Sequence, residues 1–200
     1  QYALSAESLK CDVVKPLLSE YRKIDGEIEE KRRCWHVEYE NVPNFHMDII
    51  PAVYRERYID ITDHDKKTNS YEYIGSNPKG YIKWFNDKKA LQRKILFEKQ
   101  VSEMSHSLTC QADIDELKEY KLKTPLQKSI QLLKRHRDIM FMNDTQNLKP
   151  ISIIITTIAA EVYNNEDNIV DALNGILCNA ENYIKAHMNK NEFHVDNPSY

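Results

Sequence analysis

Two hundred residues, 41% of them hydrophobic and 30% charged, suffice for one sizeable core or for two lobes, and nothing in the composition suggests disorder. A formal net charge of -3 excludes a global field that draws the chain to nucleic acid or an anionic membrane, so a bound polyanion must be held by a local basic cluster. Cys11, Cys34, Cys110 and Cys178 are scattered, with no C-x-x-C and no paired Cys/His spacing, which predicts reduced thiols in a cytoplasmic protein and no zinc site. No signal peptide is visible. The longest apolar run, Ile151 to Ala160, is broken by Ser152, Thr156 and Thr157 and is well short of the ~20 residues of a membrane span.

In chain order, Leu9, Val13, Leu17, Tyr21 and Ile24 recur at helical spacing from Ser5 onward, with Pro16 placed to kink or split the helix. Trp35, Val37 and Tyr39 then alternate with polar residues, which predicts a half-buried strand. Phe45 to Val53 is expected as a second strand. Tyr58–Ile61 and Ser70–Ile74 flank a charged segment, Asp63 to Asn69, and predict a hairpin. After Asn77-Pro78 the period turns helical, with Tyr81, Trp84, Phe85, Lys88, Leu91 and Ile95 on one face. Thr109 or Asp113 is placed to cap a further helix. Thr124-Pro125 supplies an N-cap and a first-turn proline for the next, and Lys149-Pro150 is expected to open another in the same way. Ile169 to His187 carries the last helical pattern. Strands come first and helices after, which predicts an α+β fold: residues 1–75 as a partial sheet-bearing core and residues 76–200 as a helical lobe.

Asp48 is the most informative residue. Strand period places it with His46 and Ile50 on one face, opposite Phe45, Met47 and Ile49, inside an apolar run. A buried carboxylate needs a compensating charge. Two readings stay open on burial alone: an ion pair with Arg32, Arg33 or Arg55, or a ligand to a divalent metal used in phosphoryl transfer.

Four blocks carry a resemblance. Lys31 to Tyr39 with Phe45 to Pro51 looks like a catalytic carboxylate strand and the strand before it. Ser76 to Tyr81 with Trp84-Phe85 looks like a linker into a long helix. Leu132 to Asp138, and Lys149 to Thr157, look like two helices of a C-terminal lobe. In this order they resemble the bacterial cyclic GMP-AMP synthase/DncV-like nucleotidyltransferases, which have a polymerase β-like sheet and make cyclic oligonucleotide signals in anti-phage defence. The resemblance implies that Asp48 is the third catalytic carboxylate and a ligand of Mg2+ (or Mn2+). It also implies that Lys134 and Ser152 hold the donor triphosphate and that Asn77 and Tyr81 lie near the nucleobase. ATP, GTP or other nucleoside triphosphates are the implied substrates, and regulatory or effector proteins of a defence operon the implied partners.

The family's Gly-Ser loop and D-x-D do not precede Asp48, so the chain is expected to be a fragment lacking the first catalytic motif and inactive alone. Asp63-His-Asp65 has the spacing but falls in the expected polar hairpin tip. Asp113-Ile-Asp115 has it too, but suits helix capping. Unaided, Ser152 reads as a hydroxyl bonded to its own backbone at the third position of a helix; a phosphate-binding helix start is the sharper alternative. Lys134 falls at the rim of the stripe Leu126, Ile130, Leu133, Arg137, Met140 and Phe141, taking ~100° per residue, where its amine can snorkel. Arg137, in mid-stripe, must be paired. Lys88, Lys89, Arg93 and Lys94 read as a solvated helix face. A non-catalytic nucleotide-binding or protein-docking module of the same fold stays open beside the enzyme reading. RNA-directed nucleotide addition is disfavoured by the lack of a basic-aromatic stripe.

Overall fold

A computed structural model describes residues 4–20, 27–39, 45–106, 123–146, 148–189, 192–193 and 195–199. The expected caps Thr109 and Asp113, and the Asp113-Ile-Asp115 pair, lie outside the described residues. The chain divides into two compact units, Gln1–Lys79 and Gly80–Tyr200. Among the described residues no helix is long and apolar enough to cross a membrane.

The first unit opens with a π-helical stretch, Ser8–Val14, that runs into α1 (Lys15–Glu20). The change falls at Pro16, which has no N–H to give to the turn behind it and whose ring crowds that turn; a wider register just before it relieves the conflict. Three antiparallel strands follow, β1 (Ile28–Glu30), β2 (Trp35–Glu38) and β3 (His46–Ile49). As the alternation predicts, Trp35 and Val37 are buried.

Phe45 to Val53 is not one strand. It breaks at Ile50-Pro51, and β4 (Ala52–Tyr54) belongs to a second antiparallel sheet with β5 (Ile59–Asp65) and β6 (Ser70–Ser76). Pro51 cannot donate to a ladder, which is why pairing stops there. Its carbonyl is still used, accepting from the Thr62 N–H at 3.1 Å. The β5–β6 turn closes through Asn69 at φ 54°, a left-handed conformation that asparagine tolerates.

The central strand β5 is buried from Asp60 to His64. Asp63 therefore sits in a strand and not in a polar tip. Arg32 chelates it through Nε and Nη2 at 3.0 and 2.9 Å, and Arg33 Nε adds a bond at 3.1 Å. Arg55 Nε bonds Asp60 at 2.8 Å. The arginines offered as ion-pair partners in one of the two readings of Asp48 thus pair with Asp60 and Asp63 instead. A second polar cluster lies beside them. The fully buried Lys10 ammonium donates to the Lys31 and Arg32 carbonyls at 2.7 and 2.9 Å and pairs with Glu30 at 3.2 Å, while His64 reaches the same carboxylate at 3.0 Å. Burial alone would raise the Glu30 carboxyl, but Lys10 above all holds it below its ordinary value.

Burial would also raise Asp63, yet the Arg32 and Arg33 hydrogen bonds hold it below the usual carboxylate range. Its stabilising effect is therefore full above the unfolded-chain pKa of about 3.9 and is lost as pH falls from there through the lower folded value. Asp63→Asn is expected to cost about 2 kcal/mol at neutral pH, less than the roughly 3–5 kcal/mol of a fully buried pair, because the half-exposed guanidinium groups can rehydrate. Denaturant unfolding followed at Trp35, with Trp84→Phe as background, should show this loss, together with a smaller dependence on pH below about 4.

The second unit is helical: α2 (Pro78–His106), α3 (Pro125–Met140), α4 (Ser152–Val162) and α5 (Ile169–Ala186), then a short hairpin of β7 (Met188–Asn189) and β8 (Glu192–Phe193). Its core is Leu126, Ile130, Ala159, Ala160, Tyr163, Ala172 and Ile176, with Trp84, Phe85, Leu133 and Val162 packed against it. The alanines of α4 and α5 let helix backbones approach closely around the larger side chains. Thr124 caps α3 as expected, through a reciprocal capping box with Gln127 and with Pro125 in the first turn. Asn168 caps α5 by accepting from the Val170 and Asp171 N–H groups.

The apolar run that α4 carries is only partly covered, since Ile153 and the preceding Ile151 are 46% and 62% exposed. One expectation on this unit changes. Lys88 is not on a solvated face: it pairs with Glu161 at 2.8 Å and lies over the Trp84 ring, tying α2 to α4. Gln92 makes a similar tie to the Asn165 carbonyl and to Asp167.

Candidate functional site

The residues singled out in the sequence fall into two groups, Asp48 and Asn77 in the first unit, Lys134 and Ser152 in the second. In the first, the antiparallel register of β2 and β3 sets His36 directly opposite Asp48 and Glu38 opposite His46. The Asp48 carboxylate is not buried among apolar groups. All of His46, Met47 and Asp48 are exposed, and the Asp48 side chain is 51% open to solvent. β3 lies at an edge of its sheet, and the apolar residues Phe45, just before it, and Met47 are exposed as well, so the apolar run does not bury the carboxylate.

The partner of Asp48 is not an arginine. His36 Nδ1 lies 2.7 Å from Asp48 Oδ1, and the hydrogen bond raises the imidazole above its ordinary pKa. The His46 ring sits 4.7 Å from that of His36, so two imidazoles and one carboxylate share a small patch. The Cys34 thiol also reaches Asp48; burial first, then that negative charge, pushes the thiol up. Sequence reasoning placed His46 beside Asp48 but not His36. Only the pairing register brings His36 in, and twelve residues of separation conceal it.

Asn77 stands half-buried immediately before Pro78, at the start of α2. The Tyr81 hydroxyl is engaged with Thr157 Oγ1 at 3.0 Å.

In the second unit, α4 begins at Ser152 rather than two residues earlier. Arg137 Nη1 donates to the Pro150 carbonyl at 3.1 Å, and Ile151 is extended at φ -69° and ψ 149° as the N-cap residue. Ser152 is therefore the first helical residue, not the third. Its hydroxyl does not turn back on its own backbone but accepts from Arg137 Nη1 at 2.8 Å, which leaves the hydroxyl proton to be donated outward. Arg137 is paired as its position in the stripe requires, to Asp138 at 2.6 Å, and Lys149 reaches the same carboxylate at 2.9 Å. The Lys149 and Arg137 bonds hold Asp138 below the usual carboxylate range. Lys134 lies one turn before Arg137, half-buried. Burial first, and then the Arg137 charge, lowers its ammonium pKa. Arg137, Lys149 and the Ser152 hydroxyl thus meet around the Asp138 carboxylate at the C-terminal end of α3 and the start of α4, with Lys134 one turn back along α3. Such a cluster suits a polyanion that offers several oxygens.

No family model matches the chain. Comparison with known proteins gives a consistent class. The fold is that of a CD-NTase nucleotidyltransferase: the structure of CdnG from Bradyrhizobium diazoefficiens, determined in complex with GTP, superposes with a TM-score of 0.65 over 94% of this chain at 19% identity. More particularly, the chain is 35% identical over 182 residues to a c-di-GMP synthase of Roseivirga ehrenbergii, an alignment that takes in 89% of the chain. The chain spans 43% of that synthase and 54% of the CdnG chain. Both likenesses support the resemblance to the cyclic GMP-AMP synthase/DncV-like enzymes read from the four sequence blocks.

Proposed function

We propose that the protein carrying this chain is a nucleotidyltransferase that joins ribonucleoside triphosphates into a cyclic di- or trinucleotide, with release of pyrophosphate, as a second messenger in anti-phage signalling. The observation that carries this reading is the 35% identity to a c-di-GMP synthase over 89% of the chain, long enough to take in both units. The GTP bound to the CdnG relative supports nucleoside triphosphates, ATP or GTP among them, as the substrates.

In this reading Asp48 is a ligand of Mg2+ or Mn2+. The residue fits such an ion: it is a half-exposed carboxylate on a paired strand, and magnesium is commonly held by one or two carboxylates together with substrate phosphates. When bound, the ion neutralises charge on the reacting oxygens. The His36 Nδ1 bond fixes the Asp48 carboxylate in rotation, so its oxygens are presented without further loss of side-chain freedom. Lys134 and the outward-donating Ser152 hydroxyl hold phosphate oxygens of the donor nucleotide, and Arg137 orients that hydroxyl. Asn77 is assigned to the base side on the family resemblance alone.

The test is product formation by the full polypeptide. Incubated with Mg2+ and mixed triphosphates, it is expected to yield a phosphatase-resistant cyclic product, with pyrophosphate released. Nucleotide binding without any product would favour the non-catalytic module of the same fold.

A further inference from the structure

We infer that Lys10 is a positioning residue: its ammonium and its carbonyl together fix the start of β2, and through β2 the strand that carries Asp48. The effect on rate rests on the nucleotidyltransferase reading, whereas the clamp itself stands on hydrogen bonds within the first unit.

Lys10 is fully buried. Its ammonium has three donors and uses all of them, on the Lys31 and Arg32 carbonyls at 2.7 and 2.9 Å and on Glu30 at 3.2 Å. The two carbonyls belong to the turn between β1 and β2, which the Lys31 N–H closes on the Cys34 carbonyl at 3.0 Å. The His64 N–H of β5 meets the Arg32 carbonyl as well, at 2.8 Å. The Lys10 carbonyl accepts in turn from Trp35 Nε1 at 3.1 Å and from the Lys15 N–H, which closes the wide π-helical turn. Trp35 is the first residue of β2 and is buried, with the Lys15 ammonium 5.4 Å from its ring centroid. One helical residue thus grips both the β1–β2 turn and the first residue of β2.

The next residue is His36, set opposite Asp48 by the register and bonded to it. The side chains of His46, Met47 and Asp48 are exposed, so β3 draws little on core packing and takes its position from the ladder with β2. Any shift of β2 is therefore passed to Asp48. A displacement of about 1 Å far from the chemistry is enough to cost roughly 100-fold in rate.

Stability alone is a poor reason for a lysine at this place. Burying an ammonium is costly, and an apolar side chain of similar volume commonly leaves a fold as stable or more so. What an apolar residue cannot do is hold two turn carbonyls at a set distance. The π-helical geometry around Lys10, a form frequent at functional sites, points the same way.

Lys10→Met, Glu30→Gln and the two combined, each in the full polypeptide with Mg2+ and mixed triphosphates, separate the clamp from the ion pair. Lys10→Met should lower kcat per folded molecule roughly 100-fold and leave KM for the triphosphate within about twofold, since Lys134 and Ser152 belong to the other unit. Glu30→Gln breaks the same ion pair but keeps both carbonyl bonds, so it should lose stability and hold kcat within about twofold. The double variant relieves the carboxylate left unpaired by Lys10→Met, so it should regain stability but not kcat. Amide exchange should quicken over β2 and β3 in both Lys10 variants, and less over β6. Wild-type kcat in Lys10→Met, recovery of kcat along with stability in the double variant, or exchange that rises equally over β6 overturns the inference. Failure of both Lys10 variants to fold overturns it too, by making Lys10 part of the scaffold alone. A wild type that forms no product sinks the nucleotidyltransferase reading instead, and exchange over β2 and β3 then decides whether Lys10 holds the strand.

Discussion

Asp48→Asn is expected to reduce cyclic nucleotide formation by the full polypeptide at least about a thousandfold, while leaving its unfolding transition where it was. The size follows from the role. A metal that neutralises charge on reacting oxygens is worth several kcal/mol in the transition state, and about 4 kcal/mol corresponds to three decades in rate. The neutrality toward folding follows from the site. Asp48 is half-exposed on an edge strand, and an asparagine oxygen can still accept from His36 Nδ1 without disturbing the β2–β3 register. A stability loss large enough to explain lost activity would therefore be out of keeping with the structure. Product formation at wild-type rate in this variant removes Asp48 from the chemistry.

What could be read in the sequence was mostly what local physics dictates. Thr124-Pro125 marks a helix start because the threonine oxygen takes an orphan N–H and the proline lacks one, and the structure caps α3 that way. Trp35 and Val37 alternate with His36 because a strand has two faces, and those two are buried. What was not legible depended on which segments meet. Nothing local says that β3 lies at a sheet edge, so the cost of burying Asp48 was assigned to a residue that never incurs it. That cost falls on Asp63, in a stretch whose composition reads as a turn. Two arginines at positions 32 and 33 meet its charge, thirty residues away in sequence. The same non-local pairing hides His36 beside Asp48.

Ser152 shows a subtler limit. Proline before a helix was legible, but the exact start was set by Arg137, which takes the Pro150 carbonyl and the Ser152 hydroxyl together. A side chain from one helix decides where the next begins. The resulting hydroxyl is better placed to donate outward than the expected third-position serine, because Arg137 holds its oxygen and its proton is not turned back on its own backbone. The misplacement by two residues thus leaves the phosphate reading standing on different grounds: a side-chain relay rather than a helix terminus.

Lys134→Gln is the second large effect. A hydrogen bond to a charged group contributes about 1.5–3 kcal/mol, so KM for the triphosphate should rise roughly 10- to 100-fold, with kcat changed less. Its pH dependence is distinctive. Burial, then Arg137, lowers the ammonium pKa, so the free protein loses this charge earlier on the alkaline side than an exposed lysine would. Triphosphate affinity should fall as pH rises through that lowered value, and the fall should be missing in the glutamine variant. Stability should move the other way. The unfolded chain binds this proton more tightly than the folded one, so the wild-type lysine opposes folding at neutral pH and ceases to do so as pH rises toward about 10.4. Glutamine removes that opposition, and the variant should unfold no earlier than wild type, and later if anything. Weaker nucleotide binding in an equally or more stable protein is what a residue kept for its ligand produces. An unchanged KM, or a loss of binding that tracks a loss of stability, would show Lys134 to be part of the scaffold alone.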